Sequence, residues 1–400
     1  MTNLRCLFML LTVTTLSACG SKTASKVDLS RGAGGPVVEI YESAPVETRL
    51  GHDDIPDAHD VWTALLQDAK TSIDLAHFYI SDAPGHRLEP VLAAIEGAAR
   101  RGVRVRVLVD RKFYGKYPES VDRLARQGAI AVRKLDLEPR GGVLHAKYFV
   151  IDGIHVCLGS QNMDWRALEH IHEIGIRVSS PELAGAFLRL FDYDWALAGE
   201  EPPPTSKGSP PSPIRMSIGD DEVTITPAAS PQDLLPQGLL WELTGLLARL
   251  DAARTAIDVE LLTYGTKTPA GQPWTPLDDA LRRAAGRGVR VRMLVSEWAL
   301  TGDAAEALSA LGKVPGIAVR ALMIPPSSGG FIPFARVAHA KYLIVDGRHA
   351  WIGTSNWEGR YFTASRNVSL FIDGRAVTGV LERVFEHAWS GPGAEPFAAR

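Results

Sequence analysis

Apolar positions recur along the chain in two rhythms. Val61, Leu65 and Leu66 fall at helical spacing ahead of Lys70, and Ile73 to Ile80 is then β-rich. Leu88 to Arg100 is alanine-rich and amphipathic, which predicts a helix, and Val103 to Val109 alternates as a strand does. Val143 to Asn162, VLHAKYFVIDGIHVCLGSQN, predicts two adjacent strands joined at Asp152-Gly153, a dipeptide suited to a tight turn. Helices alternating with strands predict an α/β sandwich.

The whole pattern then repeats. AKTSIDLAHFYI from Ala69 is matched by ARTAIDVELLTY from Ala253, and RGVRVRVLVD from Arg101 by RGVRVRMLVS from Arg287. VAHAKYLIVDGRHAWIGTSN, Val337 to Asn356, answers the segment at Val143. Between the copies lies EEPPPTSKGSPPSP, whose proline and serine content opposes helix and most strand. The expected organisation is a first half over 37–199, a linker over 200–213 and a second half over 214–400. These would be two pseudo-symmetric α/β sandwich halves with an active site at their interface.

Composition narrows the picture at the N-terminus. One basic residue, a short apolar core from Cys6 to Thr15 and then Leu16-Ser17-Ala18-Cys19-Gly20 resemble a bacterial lipoprotein signal and its cleavage box. Residues 1–18 are the expected leader, Cys19 the lipidation site and 19–36 a Gly/Ser/Ala/Lys tether. Several acyl chains would give stable anchoring. Gly20 after the cysteine, by resemblance to known lipoproteins, favours the outer membrane, with the protein facing the periplasm. Only Cys157 would then remain in the folded part, in an apolar strand pattern, so no internal disulfide is expected. Net charge is −3, from 43 basic and 46 acidic residues, which argues against a chain devoted to coating nucleic acid. The arginines of RGVRVRVLVD read as the solvated face of a strand end.

The repeated segments carry the chemistry. Both contain H-x-K-x4-D, followed by Gly, a hydroxyl residue and Asn. The first copy supplies His145, Lys147, Asp152, Gly159, Ser160 and Asn162. The second supplies His339, Lys341, Asp346, Gly353, Thr354, Ser355 and Asn356. In each copy 14 residues lie from histidine to glycine and 17 from histidine to asparagine. On a strand, residues two apart share a face, so each histidine and lysine project together while Ala146, Tyr148 and Val150 point away. If the halves pack about a pseudo-twofold axis, two histidines, two lysines and two asparagines meet. That set suits a phosphodiester. Lys147, Lys341, Asn162 and Asn356 would hold non-bridging oxygens, with Ser160, Thr354 and Ser355 as further substrate contacts. One imidazole would attack phosphorus and the other protonate the leaving oxygen. Asp152 and Asp346 are expected at turns, in supporting roles. Lysines supply the positive charge, so these residues call for no metal or cofactor. A metal site is the weaker rival, because each copy brings a single histidine with lysine beside it.

The duplicated motif, with LGSQNMDWRALEHIHEIGI from Leu158 and IPFARVAHAKYLIVDGRHAWIGTSNWEGRYFT from Ile332, resembles the phospholipase D superfamily. The similarity extends over nearly all of the chain after the tether, and looks closest to the branch containing lysosomal single-strand exonucleases. It implies a pseudosymmetric α/β fold, a phosphohistidine intermediate and independence of metal. It also implies an acidic partner for one histidine. Glu173, 28 residues after His145, would support His339, whereas the corresponding Asn367 is neutral. A carboxylate favours imidazolium, which makes His339 the general acid and His145 the nucleophile; the same carboxylate would equally orient a nucleophile.

Two softer features remain. PPSSGGFIPFAR, Pro325 to Arg336, is either a rim of the pocket or a plain connector, and Trp165 and Trp357 read as packing residues. Three functions are open. The first is phospholipid head-group hydrolysis or transfer at the cell envelope, which suits a lipid-tethered enzyme. The second is 5′ exonuclease action on single-stranded nucleic acid. The third is a catalytically silent binding lipoprotein. Internal duplication removes any need for an obligate protein partner to assemble the site.

Overall fold

The computed structural model describes residues 37–204, 213–237 and 239–398. The expected leader, Cys19 and the tether lie outside the described residues, as does the centre of the Pro/Ser-rich linker.

Two sheets run in the same internal order. The first half arranges Val37–Ser43, Glu173–Ser179, His155–Gly159, Lys147–Ile151, Ser72–His77, Arg104–Asp110 and Ile130–Leu135 across a seven-stranded sheet. The second repeats this order with Asp221–Ser230, Asn367–Asp373, His349–Gly353, Tyr342–Val345, Ala256–Leu261, Arg290–Ser296 and Ile317–Leu322. It adds Ile214–Ile218 and Ala394–Pro396 at its edges. The last three strands of each common series are mutually parallel and the others antiparallel.

Side-chain alternation decides which faces meet. Tyr148, Val150, Val156, Leu158, Ile174 and Ile176 enter a central core that also takes Tyr342, Ile344, Ile352, Val368 and Leu370 of the second half. Helices Pro181–Ala198 and Arg375–Ser390 contribute Phe187, Phe191, Leu381 and Phe385 to this core. Residues of opposite parity, such as Phe149, Ile151, Val105 and Val107, face the outer helices Ala58–Asp68 and Leu88–Arg100. The helix expected over Leu88–Arg100 has those bounds and buries Leu88, Val91, Leu92 and Ile95 as one stripe. The arginines of RGVRVRVLVD are held locally. Arg104 and Arg106 pair with buried Asp74, and Arg290 and Arg292 repeat this with Asp258. Cys157 is a buried free thiol whose pKa burial pushes up, as expected of a core residue.

The halves also touch through backbone. Leu144 bridges Arg366, and His172 bridges Ala338, each as a parallel contact between halves. Gly142 allows the first approach, since a Cβ there would lie 2.1 Å from the carbonyl oxygen of Ala364. Arg366 is fully buried and donates from Nε at 2.8 Å and from Nη2 at 2.8 Å to Asp194 of the first half. It also donates to the carbonyls of Ser230 and Leu234.

Removing one partner of a buried ion pair leaves an uncompensated charge, at a cost of about 3–5 kcal/mol. Asp194→Asn is therefore expected to lower the melting temperature clearly, and the double change Asp194→Leu with Arg366→Met to lower it less. Thermal unfolding of the purified variants checks this; equal melting temperatures for wild type and Asp194→Asn would contradict it.

Candidate active site

The strand holding the first motif begins at Lys147 and that holding the second at Tyr342, so the histidines precede the regular ladder. This corrects the expectation that each histidine and its lysine lie together on a regular strand. The extended segments entering each strand are withheld from their own sheets by pairing with the opposite half. His145 N–H donates to the carbonyl of Arg366 at 2.8 Å, and His339 N–H to that of His172 at 2.8 Å. Two residues on, Lys147 Nζ returns to the His145 carbonyl at 2.6 Å, and Lys341 Nζ to the His339 carbonyl at 2.6 Å. Histidine and lysine thus share a side, with Ala146, Tyr148 and Val150 in the central core.

Each imidazole is oriented from across the interface. His145 Nδ1 lies 3.0 Å from Asn367 Oδ1, and His339 Nδ1 lies 2.8 Å from Glu173 Oε2. The Asn367 amide is fixed because its Nδ2 donates to the carbonyl of Tyr361 at 2.8 Å and its oxygen accepts from Thr354 Oγ1 at 2.9 Å. Asn367 Oδ1 therefore accepts from His145 Nδ1–H, leaving the Nε2 lone pair of a neutral imidazole free. Glu173 and Asn367 open the matching strands Glu173–Ser179 and Asn367–Asp373.

Burial dominates the electrostatics. His145 is held well below the ordinary imidazole value by desolvation, then by Lys147, Lys341 and His339, against its bond to Asn367. His339 is also lowered well below its ordinary value, by desolvation and then by Lys341 and Lys147. Glu173 is raised to about 7 by burial, against the pull of the lysines. This differs from the expectation that the carboxylate favours imidazolium. Burial and the neighbouring lysines oppose a positive charge on His339 more than Glu173 favours one. Desolvation lowers Lys341 to about 7, against Glu173 and Glu260, and desolvation with Lys341 repulsion lowers Lys147 well below its ordinary value. Such a site gains strongly from an anion.

Asn162 and Asn356 are buried, and each amide oxygen lacks a partner among the described residues. The three hydroxyls expected at substrate are instead engaged internally. Ser160 Oγ accepts from Ile174 N–H at 3.1 Å, Thr354 holds Asn367, and Ser355 Oγ donates to Glu242 Oε2 at 2.6 Å. All three are fully buried beneath the site, where they brace its strands. Asp152 and Asp346 adopt left-handed turn conformations, at φ 54° and 53°. Their carboxylates accept the backbone N–H groups of Lys70, Thr71 and Ser72, and of Arg254, Thr255 and Ala256. They pin the strand turn to the neighbouring helix–strand junction and touch neither histidine.

The loop Pro325 to Arg336 lines a separate cavity of about 540 Å³. It also leans on the first half, where Arg166 Nη1 donates to the Pro333 carbonyl at 3.2 Å and Arg336 N–H to the His170 carbonyl at 2.8 Å. Trp357 is fully buried, whereas Trp165 stays partly exposed against His86. Sequence reasoning missed Glu242, which accepts from Ser230, Trp351 and Ser355. It also missed the buried His172–Glu260 pair at 2.9 Å, with Tyr342 Oη on the same carboxylate at 2.9 Å. No periodic or motif signal marks either.

Paired His-x-Lys segments, each completed by the other half, define a duplicated fold built for chemistry at phosphorus. Residues 63–195 and 246–389 match the family described as cardiolipin synthase, PLD-like domain. The chain belongs to the phospholipase D superfamily and is a phosphodiesterase. Among curated relatives it is 33% identical over 371 residues to the 5′-3′ exonuclease PLD3 of Bos taurus, covering 84% of this chain and 75% of that one. It is likewise 33% identical over 355 residues to the virion nicking-joining enzyme of Vaccinia virus (strain Western Reserve), covering 83% and 82%. The phosphatidylserine synthase structure from Haemophilus influenzae Rd KW20 shares the fold, with a TM-score of 0.61 at 13% identity over 84% of this chain and 85% of that one.

Lys341 must be charged to bind an anion, and its folded value is depressed to about 7. Its charge is full below that value and lost as pH rises through it. The specificity constant kcat/KM is expected to fall on the alkaline side from near pH 7, by about tenfold per unit at the limit. A pH–rate profile of the free enzyme checks this; a flat profile from pH 6 to 9 would contradict it.

Proposed function

We propose that the protein is a 5′ exonuclease on single-stranded nucleic acid that works through a phosphohistidine. The observation that carries the chemistry is the reciprocal orientation of the two imidazoles, His145 by Asn367 and His339 by Glu173. The nucleic-acid substrate is supported by the two relatives at 33% identity, whose names are those of an exonuclease and a nicking-joining enzyme.

In this reading His145 Nε2 attacks phosphorus as a neutral imidazole, consistent with its lowered pKa. A P–N bond forms as the P–O bond to the leaving oxygen breaks. The phosphodiester anion offsets the charges of Lys147 and Lys341, which lets the proton shared with Glu173 move onto His339. His339 then donates its Nε2 proton to the leaving oxygen and keeps the one gained at Nδ1. In the second step His339 takes a proton from water, the water oxygen attacks phosphorus, and the P–N bond breaks to release neutral His145. Lys147, Lys341, Asn162 and Asn356 stabilise the non-bridging oxygens as charge builds.

A phospholipid substrate is the second reading. It is favoured by the cleavage-box sequence ending at Cys19, which would hold the enzyme against a bilayer of the cell envelope. The same pocket chemistry would serve there, with water or an alcohol as acceptor.

Purified protein offered a 5′-hydroxyl oligonucleotide, labelled phosphatidylglycerol and labelled cardiolipin separates the two. Stepwise nucleotide release is expected. Head-group release or phosphatidyl-alcohol formation without nucleotide release would replace the first reading with the second. His145→Ala and His339→Ala are each expected to lower kcat by about 10⁴-fold or more with folding intact. Mass spectrometry after an alkaline quench should find phosphate on His145; phosphate on His339 would reverse the two roles.

A further inference from the structure

The two histidines stand in unlike walls. The His145 ring is met edge-on by Phe78 at 5.0 Å and by Tyr361 at 4.9 Å between centroids. The internal repeat places Leu262 where the first half has Phe78, and Ala167 where the second has Tyr361. Leu262 and Ala167 belong instead to a small aliphatic cluster with Val337, two residues before His339. Pseudosymmetry is therefore kept in the motif and broken in its surroundings.

The aromatic side continues outward. Phe78 contacts Phe113 at 3.9 Å, and Tyr79 stacks on Phe113 at 5.9 Å and on Tyr117 at 4.9 Å. Phe78, Phe113 and Tyr117 are each partly exposed. Phe113 rides on the short helix Arg111–Tyr114 at the end of strand Arg104–Asp110. The Asp110 carboxylate accepts Phe113 N–H at 2.9 Å and Leu144 N–H at 2.7 Å, which ties the aromatic turn to the residue before His145. Cations accompany these rings: Lys147 Nζ lies 5.0 Å from the Phe78 centroid and Lys116 Nζ 4.5 Å from that of Phe113. The corresponding turn of the second half, Glu297–Leu300, reads Glu-Trp-Ala-Leu, with alanine in the place of Phe113.

Resting on the exonuclease reading, the geometry points to this wall as a nucleobase-stacking subsite. The base beside the scissile phosphorus lies against Phe78 and Phe113, with Lys116 near the neighbouring phosphate. Every base has a π-face, so such a subsite accepts any sequence while rejecting a backbone without a base. In-line displacement sends the leaving oxygen toward His339, so the nucleoside held against the aromatic wall is the one that stays on phosphorus. The unequal walls thereby set the direction in which a strand lies across two otherwise similar histidines.

The test uses the purified protein and a pair of oligonucleotides differing only in an abasic residue at one or other nucleotide flanking the terminal diester. For wild type, one of the two abasic positions is expected to lower kcat/KM about tenfold, chiefly through KM. In Phe113→Leu and Phe78→Leu that discrimination should shrink toward unity, and Phe113→Trp should restore it; melting temperatures report folding. Equal rates with and without the base in wild type, or undiminished discrimination in both leucine variants, would overturn the subsite and leave the exonuclease reading standing. Hydrolysis of phosphatidylglycerol with no oligonucleotide cleaved would overturn both.

Discussion

The structure depends on two short backbone contacts between the halves. Leu144 pairs with Arg366 and Ala338 with His172, and through them each histidine N–H reaches a carbonyl of the opposite half. A strand end left in its own sheet would have carried the imidazole away with its pleat. Held across the interface, it meets a side chain that its own half does not provide, Asn367 for His145 and Glu173 for His339. Neither half contains a complete site. The buried Arg366–Asp194 pair serves the same junction, because the residue whose carbonyl holds His145 is itself anchored to the first half. Orphaned charge is costly in such a place, which makes this pair a device for fixing one arrangement more than for adding stability.

Charge explains why the arrangement suits phosphate. Two lysines are buried within one site; burial depresses the proton affinity of both, and Lys341 depresses that of Lys147 further. A carboxyl raised to about 7 stands among them. Burial in this site opposes charge on the lysines and on Glu173 alike. A monoanion entering the site would replace lost solvation and relieve repulsion together. Burial and the lysines keep the His145 imidazole neutral, against its bond to Asn367, an amide that orients the ring without adding charge. The difference between Asn367 and Glu173 thus distinguishes the immediate partners of the two histidines.

Much of this was legible in the sequence because it rests on periodicity and duplication. The helix over Leu88–Arg100, the turn at Asp152-Gly153 and the division into matching halves follow from local patterns that packing reinforced. The pairing of Glu173 with His339 was legible from equal spacing in the two copies and from resemblance. What sequence left out is long-range. The hydroxyls of Ser160, Thr354 and Ser355 look like ligands in a motif, yet burial engages them with Ile174, Asn367 and Glu242. The lowered value of His339 also escaped, because it arises from both lysines and burial together. The aromatic wall draws on positions 78, 113 and 361, which no single segment contains.

The contact between His145 and Asn367 spans 222 residues of chain. A ribosome would have made nearly all of the protein before that partner emerged, and loop closure over such a length comes late in folding. The first half can build its sheet early, but its imidazole would lack an orienting acceptor until the final strands dock. A hydrolase assembled in this order stays inert while it is being synthesised, and becomes competent only once its last helices are packed.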